Sequence, residues 1–277
     1  MISSTAAAII ALALAFVAWL LLAPVLRARR HRRAAAAPLP PSRVDAVERN
    51  VPIRAQLPLE LRDRLDGLVA AFVAEKSFVG CNGLTVTDDM RVTIAAHACV
   101  LVLGRPHALY PLLQSILVYP TPFWVEEEEE DESGLVTQRR RVLAGQAWDA
   151  SRIILSWEDV VAAGAAHDPG YNVVLHEFAH HLDYEALGLA EAEAGRRRPL
   201  EDWTLNLHRE FYRLTEQVDR GGDTFLDPYA AEDEAEFFAV VSEEFFERPV
   251  PLRAAHPELY ALIGEFYGLD PAGWQDA

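Results

Sequence analysis

Hydrophobic and polar positions alternate differently along successive stretches of the chain. Residues 2–26 carry no charge, and at about 1.5 Å per residue a helix of that length crosses a hydrocarbon core of roughly 30 Å, so a transmembrane helix is expected there. Residues 57–75 place Leu61, Leu65, Leu68 and Phe72 at steps of four, three and four behind Pro58, the stripe of an amphipathic helix that packs on a core. A Gly80-Cys81-Asn82-Gly83 turn leads to residues 89–103, apolar enough for a buried helix and followed by punctuation at Gly104 and Pro106. Residues 115–125 and 135–143 are expected as two strands around a turn at Glu132-Ser133-Gly134, and 153–157 as a third. Beyond residue 159 the pattern is mainly helical, and no repeat of 20 to 50 residues is visible, which excludes solenoids and propellers. The fold class expected is α+β, mostly helical with a small sheet.

The five arginines Arg27, Arg29, Arg30, Arg32 and Arg33 follow the first apolar run and nothing positive precedes it. A cleaved secretory signal has its charges on the other side of a shorter apolar region, so an uncleaved anchor is expected. The positive-inside bias then places the remainder of the chain in the cytoplasm, against an inner membrane crossed once. Residues 34–41, Ala-Ala-Ala-Ala-Pro-Leu-Pro-Pro, suit a semi-rigid spacer. The organisation expected is an anchor over 1–26, a basic and Pro/Ala-rich linker over 27–43, and one domain over 44–277.

Charge narrows the function classes. The chain carries a formal charge of -17, and because residues 1–33 contribute five positive charges and no acid, the rest carries -22. A phosphate backbone demands lysines and arginines, so nucleic acid is not an expected partner. The acidic run 126–132 faces Arg139, Arg140 and Arg141 across the proposed turn, which suits a solvated charged hairpin better than a cation site. The two cysteines, Cys81 and Cys99, lack metal-type spacing and are expected as reduced core residues. His97, alone in an apolar stretch, is expected to be a satisfied core histidine.

The chemistry sits in Tyr171-Asn-Val-Val-Leu-His-Glu-Phe-Ala-His-His-Leu-Asp183, where Asn172 is placed to cap a helix that Gly188 is expected to end. The pattern His-Glu-x-x-His puts His176 and His180 one turn apart on one helix face, within reach of a single zinc ion, with Glu177 beside them as general base for the attacking water. A three-residue pattern recurs by chance, so its place in a capped, apolar-flanked helix is what gives it weight. The extended form of the motif requires Gly at 183 and His at 186, where this chain has Asp183 and Ala186, so a third ligand must come from elsewhere. The acid-rich segment from Asp227 to Phe246, expected as one helix started by Pro228, is the donor. Glu236, flanked by Ala235, Phe237 and Phe238, is the first choice, with Glu232 and Glu243 on the same stripe as alternatives; Glu232, Glu234, Glu243 and Glu244 suit a solvated face. Tyr229, seven residues before Glu236, would share its face and donate to a developing oxyanion, or serve as a structural tyrosine. Asp183 is a candidate to hold a ligand's second ring nitrogen, and His181 points off the ligand face.

These residues resemble a known family. His176-Glu-Phe-Ala-His180 with Leu182-Asp183, Asp227-Pro-Tyr-Ala-Ala, and Ala235-Glu236-Phe-Phe-Ala-Val-Val-Ser-Glu243, together with Gly80-Cys81 and Met90-Arg-Val-Thr-Ile-Ala-Ala-His-Ala-Cys99, look like the Mlc titration factor A family of zinc metallopeptidases over roughly residues 50–270. The resemblance implies a zincin-type domain, one zinc per chain on His176, His180 and Glu236, Glu177 as catalytic base and Tyr229 near the site. It also implies hydrolysis of short peptides, aminopeptidase-like, and a tie to a sugar-responsive transcriptional repressor. Two functions are therefore expected to compete: a zinc peptidase, and a zinc-containing protein that captures a cytoplasmic regulator with little turnover.

Overall fold

A computed structural model describes residues 38–105, 109–130, 136–143, 145–149, 151–164, 170–192 and 200–276, with isolated positions between Leu12 and Ala36. Among the described residues no helix is long and apolar enough to cross a membrane. The span expected over residues 1–26, and the single-pass inner-membrane placement and membrane contact drawn from it, are therefore corrected. A span needs roughly 20 consecutive apolar residues in one helix, and none of the described helices meets that requirement.

The first complete elements are α1 (Pro41–Asn50), the single turn α2 (Ile53–Gln56) and α3 (Leu59–Glu75). Prolines stand at the entrances of all three, where a missing N–H costs nothing. The expected stripe of α3 holds: Leu65 and Phe72 are fully buried, and Leu61 and Leu68 pack against the core from its margin. A short strand, β1 (Ser77–Gly80), follows. Asn82 and Gly83, both at positive φ, then form the turn that leads to α4 (Asp88–Leu101). The hydroxyl of Thr87 caps α4 by accepting from the Met90 N–H at 3.2 Å, and every residue from Val92 to Leu101 is buried, which makes α4 the central helix. Cys99 lies within it and is buried, whereas Cys81 sits half-buried in the turn; both are free.

The main sheet has four strands in the order β1-β2-β6-β5. β1, β2 (Ser115–Tyr119) and β6 (Arg152–Ser156) run parallel, and β5 (Gly145–Asp149) lies antiparallel at the far edge. The expected strand 115–125 is split, because Pro120 and Pro122 cannot donate to a ladder: β2 stops at Tyr119 and β3 (Phe123–Glu130) starts after Pro122. β3 pairs with β4 (Val136–Leu143) as a separate hairpin whose register sets Glu126 opposite Arg140 and Glu127 opposite Arg139. The turn expected at Glu132-Ser133-Gly134 lies outside the described residues.

The second half is helical: α5 (Trp157–Gly164), α6 (Val173–Ala192), α7 (Leu200–Asp219), α8 (Glu234–Glu247), α9 (Pro249–Ala255) and α10 (Pro257–Tyr267), with 3-10 turns at Pro228–Ala231 and Pro271–Asp276. α6 passes through Gly188 and continues to Ala192; an interior glycine weakens a helix by about 1 kcal/mol and does not by itself end it. Gly268, at φ +66, does end α10, and the chain there passes so close to Gly104 that a Cβ on Gly104 would stand 2.2 Å from the Tyr267 carbonyl oxygen. Aromatic rings fill the core in two groups. Phe72, Tyr110 and Phe178 join α3 to α6 with centroids 4.9 to 6.1 Å apart. Phe245, Phe246 and Tyr267 join α8 to α10 at 5.0 to 5.7 Å.

Candidate metal centre

The geometry begins at the first turn of α6. The Asn172 side-chain oxygen accepts from the Leu175 N–H at 3.2 Å and caps the helix. Val174, Leu175, Phe178 and Ala179 then bury one face in the core, and the helical period turns His176 and His180 together toward α8. α8 starts afresh at Glu234, because Asp233 adopts an extended backbone and its carboxylate accepts from the Glu236 N–H at 2.9 Å. That cap places Glu236 in the first turn of α8, opposite the two histidines.

His176, His180 and Glu236 form the one group of three or more potential ligands among the described residues, with their nearest donor atoms all within 4.8 Å of one another. The two Nε2 atoms are 3.1 Å apart, and Glu236 Oε2 lies 3.1 Å from that of His176 and 3.4 Å from that of His180. Yet Glu236 Oε2 is buried and forms no hydrogen bond of acceptable geometry. A buried carboxylate oxygen left unpaired, with two imidazole nitrogens converging on the same point, is costly unless a cation joins them. These residues therefore fit a metal ion.

The electrostatics are those of a crowded, buried site. Burial acts to raise the Glu236 carboxyl, but His176 and His180 outweigh it and hold it well below the usual carboxylate range. His176 is pushed up to about 10: burial opposes its charge, and the adjacent carboxylates of Glu236 and Glu243 overcome that opposition. Glu177, 6% exposed, is pushed up to about 7, chiefly by burial, with His176 and His180 pulling the other way. A carboxyl poised near neutrality can both accept and release a proton.

Other expected residues fall into different places. Tyr229 is not on the helix that carries Glu236. Asp227 accepts from the Tyr229 N–H at 2.8 Å and closes a 3-10 turn, and the chain then bends before Asp233. The turn still delivers the Tyr229 ring to 6.2 Å from the His176 ring, and its side chain is 40% exposed. Glu232 and Glu234 are exposed as expected, but Glu243 and Glu244 are buried. They are covered because α6 packs across α8; Glu244 pairs with Arg248 at 3.1 Å. Glu243 is not part of the triad. Its Oε1 accepts from His176 Nδ1 at 2.8 Å, the role for which Asp183 was a candidate, and its Oε2 accepts from the Asn172 backbone N–H. Burial pushes the Glu243 carboxyl up, against the pull of these two bonds. His181 points away from the triad into a buried pair with Glu185 at 3.0 Å. His97 is a satisfied core histidine: Nε2 donates to the Asn50 carbonyl at 3.3 Å, Nδ1 accepts from Asn172 Nδ2 at 3.1 Å, and burial lowers it to about 4.

Comparison with known proteins points to a metallopeptidase family. The family model for the glucose-regulated metallo-peptidase M90 matches residues 25–268. A protein of Synechocystis sp., described only as uncharacterized, is 36% identical over 236 residues, which cover 84% of this chain and 86% of that protein. Mlc titration factor A of Pectobacterium atrosepticum is 36% identical over 236 residues, 82% of this chain and 88% of that protein. Mlc titration factor A of Escherichia fergusonii is 34% identical over 227 residues, 80% and 84% respectively.

Proposed function

Because the chain belongs to the glucose-regulated metallo-peptidase M90 family, we propose that it is a zinc-dependent peptidase, with the ion on His176, His180 and Glu236 and with Glu177 as general base. The observation that carries this reading is the buried, unpaired Glu236 Oε2 set 3.1 and 3.4 Å from two imidazole nitrogens. Two neutral imidazoles and one carboxylate are a donor set suited to zinc. A zinc ion held there would supply Lewis-acid polarisation of a water and of the substrate carbonyl.

The remaining steps belong to the chain's own side chains. Glu177 accepts a proton from the attacking water and returns it to the leaving amine. The Tyr229 hydroxyl, on a partly exposed ring beside His176, donates to the carbonyl oxygen as negative charge develops on it. The substrate is a peptide, and a panel with free and with blocked amino termini separates aminopeptidase action from internal cleavage.

A second reading rests on the name that the relatives share, Mlc titration factor A. In it the domain captures a regulator protein, a transcriptional repressor, with little turnover. Glu177→Gln separates the two. The peptidase reading expects hydrolysis to fall about 10²- to 10⁴-fold with zinc retained; unchanged hydrolysis, or none in the wild type under any condition, would favour the second.

A further inference from the structure

Behind the triad lies a hydrogen-bonded network that none of the steps above uses. Glu243, 2% exposed, spends both carboxylate oxygens on α6: one on His176 Nδ1 at 2.8 Å, the other on the Asn172 backbone N–H. Asn172 is itself fully committed. Its Oδ1 caps α6 at Leu175, and its Nδ2 donates to Glu247 Oε1 at 2.7 Å and to His97 Nδ1 at 3.1 Å. The His97 tautomer is set in turn by the bond to the Asn50 carbonyl. Both ring nitrogens of His97, the side-chain oxygen and nitrogen of Asn172 and both carboxylate oxygens of Glu243 therefore have assigned partners, and a satisfied buried network is rigid.

From this geometry we infer that Glu243 is a positioning residue, which keeps the proton of His176 on Nδ1 and so presents the Nε2 lone pair to the ion. The inference rests on the metal-site reading above and extends it. A ring free to rotate, or protonated on Nε2, would offer no lone pair to Glu236's side of the site. The carboxylate also makes the imidazole a stronger donor, and partners of this kind contribute about 10- to 100-fold to metal affinity. Asn172 makes the device local to the motif, because the residue that starts the ligand-bearing helix also orients the carboxylate that orients the ligand.

The test is the zinc dissociation constant of the full chain, measured by chelator competition for the wild type, Glu243→Gln, Glu243→Ala and Glu244→Gln, with the melting temperature of each metal-free protein alongside. Glu243→Gln keeps the shape and should still weaken zinc binding about 10-fold, and Glu243→Ala up to about 100-fold. Glu244→Gln, which removes a neighbouring buried carboxylate that does not touch His176, should stay within about twofold of the wild type. If Glu243→Gln folds and binds zinc as tightly as the wild type, or if Glu244→Gln weakens it equally, the inference is overturned and the zinc site stands. A folded wild type that binds no zinc overturns the site itself. Nitrogen-15 NMR of the zinc-loaded protein reads the tautomer directly, with Nδ1–H on His176 expected and Nε2–H contradicting it.

Discussion

Helix α6 has two sides built on opposite principles. On one, Phe178 is fully buried against Phe72 and Tyr110, with centroids at 5.9 and 4.9 Å. On the other, one and two residues earlier, Glu177 is buried and His176 half-buried among Glu236, Glu243 and His180. Burial stabilises the first side, since apolar area leaves water. It works against the second, where it raises Glu177 and Glu243 and opposes the charge on His176. The aromatic side holds the helix in place, and the polar side uses that support to keep groups together that would otherwise separate.

The largest expected effect tests the supporting side. Phe178→Ala should cost about 3 to 5 kcal/mol in urea unfolding of the metal-free protein, through lost burial and a cavity between α3 and α6. A loss under about 1 kcal/mol would mean that the helix is not held from this side.

A smaller effect of opposite sign is expected across the helix. In the metal-free protein Glu177 has a folded pKa of about 7 against an ordinary value of 4.5. The folded state holds the proton longer, so the group's contribution is fully present below pH 4.5 and is lost as pH rises to about 7. Glu177→Gln removes that loss, and the metal-free variant should be more stable than the wild type by about 3 kcal/mol at pH 8, with the gap closing toward pH 4.5. A difference independent of pH would contradict the assignment.

The smallest expected effect concerns the rim. Tyr229→Phe should lower kcat about 10-fold with KM little changed, less than the 10²- to 10³-fold for an enclosed oxyanion donor, because this side chain is 40% exposed. Equal kcat would leave Tyr229 a structural residue.

What was legible in the sequence follows the range of the interactions. His176, Glu177 and His180 are related by one helical turn, and the cap at Asn172 and the stripe on α3 are equally local. Glu236 stood out because phenylalanines follow it directly, and the structure brings it to the two histidines. The roles of Glu243 and Asp183 could not be assigned from one strand of text, because they depend on how α8 lies across α6. The break between Tyr229 and Glu236 was hidden for another reason: no glycine marks it, and Asp233 both ends the bend and caps the next helix. β1, four residues long, becomes a strand only by pairing with β2, and its sequence carries no period of its own. Pro120 and Pro122 were a readable stop within the stretch 115–125.

The central claim is that two histidines of α6 and one carboxylate of α8 complete each other around an ion. Equilibrium dialysis of the full chain against zinc, followed by elemental analysis, tests it most directly in the wild type and in Glu236→Ala. About one zinc per wild-type chain is expected, with most of it lost in Glu236→Ala while the fold is retained. A wild type that holds no zinc, or a Glu236→Ala protein that holds as much as the wild type with the same affinity, would contradict it.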